Sequence, residues 1–119
     1  IPSYMSFEES SAIPLGFATA VGGLFGDLAV KVPSAGSKLP LPNNGLPPIL
    51  VWGGSSSVGG YTIQLAHLAG FKVVATASPA HFDYVRSLGA DVVVNYRDGD
   101  KAVEEIITAT GGKLSLVFE

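Results

Sequence analysis

The chain has 119 residues, 47% hydrophobic and 14% charged, with a formal net charge of −3; that is one domain's worth, able to bury roughly 60 to 70% of its unfolded surface, and the apolar excess excludes disorder over most of it. No run of Lys or Arg is present to neutralise a phosphate backbone or an anionic bilayer, and no apolar run approaches the roughly 18 to 20 residues of a membrane span, so nucleic-acid and membrane partners are not expected and a cytoplasmic location is. Cys is absent, which removes disulfides, thiolate metal sites and a cysteine nucleophile.

In chain order, Ser6-Phe7-Glu8-Glu9 carries capping-type residues and leads into an apolar, Gly-rich stretch, Ala12 to Phe25. One or two helices are expected there, parted near Ile13 by Pro14, with the small residues of the second packed closely on another element. Residues 1–30 thus read as a helical lead-in. Residues 31–48 hold Pro33, Gly36, Pro40, Pro42, Asn43-Asn44-Gly45 and Pro47-Pro48, the composition of a surface loop.

From residue 49 the pattern alternates. Ile49 to Trp52 is an apolar run ending on Gly53-Gly54-Ser55-Ser56-Ser57-Val58-Gly59-Gly60, which opens an amphipathic helical pattern through Ala69, stopped by Gly70. Lys72 to Thr76 is a second β-rich run. Pro79 opens a second helix, with Phe82, Val85 and Leu88 at helical spacing and Gly89 as its stop; Asp91 to Asn95 is a third strand. Lys101 to Thr110 is a third helix with Val103, Ile106 and Ile107 on one face, and Leu114 to Phe118 is a fourth strand. Continuous apolar strands alternating with helices predict an α/β fold with a doubly wound parallel sheet and right-handed crossovers; in the usual mononucleotide-binding arrangement its four strands take the order 3-2-1-4.

A strand ending on a glycine-rich turn that feeds a helix puts unpaired N–H groups and the positive end of the helix dipole where a pyrophosphate binds. Gly53 suits the tight turn, Ser55, Ser56 and Ser57 offer hydroxyl donors, and Gly59 lets the helix pack closely on the strand. Packing alone is the competing explanation of such glycines, and their place inside a strand-helix-strand unit favours the ligand. The end of the second strand selects the dinucleotide. Asp or Glu there, about 20 residues past the glycines, would accept from ribose hydroxyls, but Ala75-Thr76-Ala77-Ser78-Pro79-Ala80-His81 has no carboxylate. A 2′-phosphate is not repelled, and Ser78 with His81, Tyr96 or Arg97 is placed to bind it, so NADP(H) is favoured over NAD(H). Ser78-Pro79 also reads as a helix cap, which does not conflict with phosphate binding.

These residues, with Leu88-Gly89-Ala90-Asp91, Asn95-Tyr96-Arg97-Asp98 and the upstream Ser6 to Leu15 and Ala18-Thr19-Ala20, make the chain resemble the cofactor domain of the medium-chain dehydrogenase/reductase superfamily, on its quinone-reductase and enoyl-reductase side. The resemblance spans nearly everything but the loop, and makes residues 49–119 a partial Rossmann core. Thr76-Ala77-Ser78-Pro79 and the serine-rich glycine loop look most like fungal members, including trans-acting enoyl reductases that serve polyketide synthases, which makes such a synthase a candidate partner. The resemblance implies NADPH-dependent hydride transfer to an activated carbon-carbon double bond or a quinone, without catalytic zinc. By position it implies Ser57 and Val58 at the pyrophosphate, Ser78 and Tyr96 at the 2′-phosphate, and Thr19 near the nicotinamide carboxamide. Ser56 stands where the family usually has its middle glycine.

Full members of that family carry a catalytic domain and further strands that these residues do not include. The start on Ile1 and the stop within an apolar run add to the expectation of a fragment without a complete active site, partnered by the catalytic domain of its own parent chain. A stand-alone nucleotide-binding or regulatory module is the alternative. In a third reading, a degradation product, the fourth-strand edge, Leu114 to Phe118, would pair with a second copy. His67, mid-helix, reads as structural, and no Gly-x-Ser-x-Gly elbow exists to support a hydrolase.

Overall fold

The computed structural model describes all 119 residues, Ile1–Glu119. Two short helices lead the chain. α1 (Phe7–Ser11) starts at Ser6, whose hydroxyl accepts from the Glu9 N–H at 3.1 Å while the Glu9 carboxylate accepts from the Ser6 N–H at 2.9 Å; this reciprocal cap satisfies donors that a helix start leaves unpaired. α2 (Pro14–Val21) opens on Pro14, where a missing N–H is harmless, so the two helices part where expected. Past Val21 the helix widens into a π-type turn, Gly22–Asp27, a feature that residue periodicity does not encode.

β1 (Ile49–Val51), β2 (Val73–Ala77), β3 (Val92–Asn95) and β4 (Leu116–Phe118) form one parallel sheet in the order β3-β2-β1-β4, which is the order expected. α3 (Ser57–Leu68), α4 (Phe82–Ser87, entered through a 3-10 turn at Pro79–His81) and α5 (Asp100–Thr110) are the crossovers. Neighbouring residues of each strand face opposite layers. Ile49, Val51, Val73, Ala75 and Val93 pack with Leu24, Ile63, Ala66 and Val85, while Leu50, Val74 and Val94 pack with Ala102 and Ile106. Both faces are covered, which is why the central strands are apolar at successive positions.

α3 departs from the amphipathic expectation, because it is buried against both the sheet and α2. Gly59, Gly60, Thr62, Ile63 and Ala66 are all buried. Gly16 of α2 is the point of closest approach: a Cβ there would lie 2.5 Å from Ser57 Oγ and 3.1 Å from the Tyr61 ring. The next residue, Phe17, meets Tyr61 edge to face, 5.8 Å between centroids. Ile63, fully buried, anchors α3 to the sheet. Ile63→Ala is expected to destabilise the fold by about 2–5 kcal/mol, through lost transfer energy and the cavity left behind, as measured by urea unfolding.

α5 also turns a different face inward from the one expected. Ala102, Ile106 and Thr110 are buried, whereas Val103 and Ile107 are 55% and 56% exposed. The helix turns the Ala102, Ile106 and Thr110 stripe inward, where Ala102 permits close approach, and leaves Val103 and Ile107 outside. The 28–48 segment contains no helix or strand. It is tied to the far end of α3, where the Leu41 N–H donates to the Leu68 carbonyl and Asn43 Nδ2 to the Gly70 carbonyl, both at 2.9 Å. His67 packs against Gly89, whose φ of +116° and lack of a side chain make room for the ring. No helix is long and apolar enough to cross a membrane.

Candidate nucleotide-binding site

At the carboxyl end of the sheet, β1 runs into the turn formed by residues 52–56. Gly53 has φ +75°, a conformation that L side chains rarely adopt. Gly54 is buried so deeply that a Cβ would lie 2.9 Å from Ile63 Cδ1 and 3.1 Å from Ala75 Cβ. Ser56 is the cap of α3: its backbone is extended and its hydroxyl accepts from the Gly59 N–H at 3.0 Å. Its N–H in turn donates to the Gly53 carbonyl at 3.0 Å. Ser56→Ala removes the cap and is expected to lower stability by about 1 kcal/mol in thermal unfolding.

The capping arrangement leaves the first turn of α3 with donors to spare. The Ser57 and Val58 N–H groups have no acceptor within the chain, since the capping hydroxyl takes Gly59 and the Ser56 carbonyl takes Gly60. These two amides point out of a helix start, where the dipole favours negative charge. Gly59 is the steric complement: a Cβ there would collide with the Gly53 carbonyl and lie 2.9 Å from Ser56 Oγ. The turn therefore closes over Gly59 as only glycine permits.

A cleft of about 460 Å³ opens beside this helix start. It brings Thr19 of α2 together with Ser56, Val58 and Gly59, and adds Trp52 and Phe118 from the strand ends and Gly23, Asp27 and Leu28 from the π-type turn and the residue after it. The Thr19 hydroxyl donates to the Leu15 carbonyl at 2.8 Å, so its oxygen is left as an acceptor. Ser57 is separate. Its side chain lies against Gly16 and lines another recess with Tyr61 and Tyr84, so only its backbone N–H belongs with the turn. Ser55 is exposed on the turn and makes no side-chain hydrogen bond within the chain.

Ser78 and Tyr96 stand outside the cleft, at the neighbouring strand ends. Ala77 of β2 is in register with Asn95 of β3, so each of the two follows a paired residue. Ser78 heads the 3-10 turn with extended backbone, but its hydroxyl makes no capping bond and is left for other use. The Tyr96 hydroxyl accepts from Arg97 Nε at 3.1 Å, and the Arg97 guanidinium sits 5.4 Å from the Tyr96 ring centroid, without an ion pair. The nearby Asp98 carboxylate accepts from Asn95 Nδ2 at 3.1 Å. No three His, Asp or Glu side chains converge as metal ligands would.

Sequence reasoning passed over Trp52, Gly54 and the cleft residues of the π-type turn. The doublet Gly53-Gly54 was the available signal for Gly54. Trp52, as the last residue of the apolar run, reads as core in the sequence, yet it is 42% exposed and walls the cleft. A second recess, of about 350 Å³, lies at the opposite end between the 30–46 segment and Ala69 and Phe71, remote from the glycine turn.

A parallel doubly wound sheet with open helix-start amides beside a glycine turn defines a nucleotide-binding α/β domain. The zinc-binding dehydrogenase family model matches residues 57–119, and the chain belongs to that family, within the medium-chain dehydrogenase/reductase superfamily. It is 39% identical over its whole length to the trans-enoyl reductase TOXD of Cochliobolus carbonum, of which it covers 38%. Among solved structures it is similar to an NAD-dependent alcohol dehydrogenase, at 36% identity, a TM-score of 0.75, and coverage of 94% of this chain and 29% of that one. It is also similar to the Escherichia coli quinone oxidoreductase complexed with NADPH, at 27% identity, a TM-score of 0.74, and coverage of 95% and 31%. The chain spans about a third of the length of the curated relatives it matches.

Proposed function

We propose that this chain is the NADP(H)-binding part of an oxidoreductase that delivers hydride to an activated carbon-carbon double bond or a quinone without catalytic zinc, the substrate side being supplied by the catalytic domain of a longer parent chain. The observation that carries the reading is the pair of unpaired Ser57 and Val58 N–H groups at the start of α3, beside a turn that Gly59 alone allows to close. That cradle suits a pyrophosphate, which needs donors, close backbone approach and no side chain in the way. Gly53, Ser55 and Ser56 shape and cap the same turn. The likeness to a trans-enoyl reductase and to a quinone oxidoreductase supports the reaction class.

The other ends of the dinucleotide are assigned to residues whose hydrogen-bonding capacity is free in the right sense. Thr19, its proton already given to Leu15, offers an acceptor to the carboxamide N–H₂ of the nicotinamide. The Ser78 hydroxyl, the Tyr96 O–H and the remaining N–H groups of the Arg97 guanidinium, which is in no ion pair, offer donors to a 2′-phosphate. When bound, the nicotinamide supplies the hydride; the chain's own residues hold the dinucleotide and orient it. Trp52, the chain's one tryptophan, walls the cleft, so NADPH binding is expected to quench its fluorescence. An emission unchanged at saturating NADPH would place the dinucleotide elsewhere.

A further inference from the structure

Three polar residues are buried in this fold, all threonines: Thr62, Thr76 and Thr110. Two of them serve their own helices, Thr62 donating to the Val58 carbonyl at 2.9 Å and Thr110 to the Ile106 carbonyl at 2.8 Å. Thr76 of β2 is different. Its hydroxyl oxygen accepts from the Gly53 N–H at 2.9 Å, and its carbonyl accepts from the Gly54 N–H at 2.8 Å. Two successive amides of the glycine turn are therefore fastened to one fully buried residue of the next strand.

The turn's other backbone bonds run from the Trp52 N–H to the Phe118 carbonyl at 2.8 Å and, within the turn, from the Ser56 N–H to the Gly53 carbonyl at 3.0 Å, so Thr76 is the residue that takes two of its amides. Gly53 has no side chain, and a Cβ there would meet nothing within 4 Å. The apolar surroundings of Thr76, with Val94 as its register partner and Val74 on the same face, would be packed as well by valine. A hydroxyl buried at such a position is unfavourable unless it is hydrogen-bonded, and the bond it makes is to the turn. Two residues further on, the same strand end carries Ser78.

We propose that Thr76 is a positioning residue for the dinucleotide: it fixes the glycine turn to the strand end that bears Ser78, and so sets the spacing between the pyrophosphate donors and the ribose-phosphate end of the site. The proposal rests on the dinucleotide reading above. It assigns the two strand-end residues different effects. NADPH and NADH share the pyrophosphate, so loss of the latch weakens both by the same factor, whereas loss of the Ser78 hydroxyl weakens NADPH alone.

The test is calorimetric titration of the protein carrying these residues, as wild type, Thr76→Val, Thr76→Ser and Ser78→Ala, with NADPH and with NADH, alongside thermal unfolding of each. Thr76→Val is expected to bind both cofactors about tenfold more weakly with their ratio unchanged, the size expected when the half-buried Gly53 N–H loses its acceptor and the turn shifts. Thr76→Ser restores affinity to within about twofold, since it keeps the acceptor. A folded Thr76→Val protein that binds as tightly as wild type, or a serine variant as weak as the valine one, would overturn the proposal. Amide hydrogen exchange at Gly53 in the wild type needs no variant: protection comparable to the sheet amides is expected, and exchange at the rate of an open loop would overturn it. Wild type that binds neither dinucleotide would sink the reading on which the proposal rests, and the latch with it; failure of the latch alone leaves wild-type binding intact.

Discussion

Gly59→Ala is expected to weaken dinucleotide binding more than any other single-methyl change in the chain. The added Cβ collides with the Gly53 carbonyl and would stand 3.0 Å from the Gly53 carbonyl carbon. Both are backbone atoms of a turn held from the other side by β2, so the methyl group cannot be accommodated by a side-chain rotation. Either α3 retreats or the turn opens, and both movements displace the Ser57 and Val58 amides. Overpacking of this kind costs about 1–3 kcal/mol, which corresponds to a loss of about 5-fold to about 150-fold when it falls on the bound state. Calorimetry with NADPH measures it, and thermal unfolding separates it from loss of fold. The sheet, whose strands pair through their own backbone, is expected to survive.

Ser78→Asp is expected to have the second large effect, and a selective one. A carboxylate at the end of β2 faces a 2′-phosphate with like charge; at about 4 Å and an effective dielectric near 20 one such pair is worth about 4 kcal/mol, less once solvent screening at a half-buried position is counted. NADPH binding should fall by about ten- to a hundredfold. NADH, which presents ribose hydroxyls that a carboxylate accepts from, should bind within about threefold of its wild-type strength or more tightly. Asp is also a good residue at the head of a helical turn, so the fold is not at risk. Parallel titrations of wild type and variant read the result, and an unchanged NADPH affinity would remove Ser78 from the phosphate site.

Much of the architecture was legible because each strand is an apolar run bounded by turn residues. Ile49 to Trp52 became β1 less its last residue, and Lys72 to Thr76 became β2 shifted by one. The order β3-β2-β1-β4 is that of the usual mononucleotide-binding arrangement; right-handed crossovers limit the choices, and the strand-glycine turn-helix unit points to this one among them. The glycine turn was legible for a related reason, since backbone chemistry at a strand-helix junction depends on which residues lack side chains. Other features depend on tertiary packing. The apolar residues of α5 form two adjoining stripes, and the periodicity of Val103, Ile106 and Ile107 does not say that Ala102 faces the sheet. The π-type turn after α2 leaves no mark in composition. Gly23 within it lies where a Cβ would stand 2.5 Å from the Phe118 ring, so that turn is fitted to a residue 95 positions away. Thr76 reads as an ordinary strand residue, and only the fold shows which amide its hydroxyl meets. Among the expected site residues, Thr19, Ser56, Val58 and Gly59 share one cleft, while Ser78 and Tyr96 occupy the neighbouring strand ends.

The most direct test is a pair of calorimetric titrations of the protein, one with NADPH and one with NADH, at a single salt concentration. Open amides at the start of α3 together with a carboxylate-free end of β2 predict saturable binding of both, with NADPH tighter by about tenfold, the worth of one or two charge-assisted hydrogen bonds partly screened by water. Equal affinity for the two would contradict the phosphate role of Ser78, Tyr96 and Arg97, and no binding of either would contradict the account as a whole.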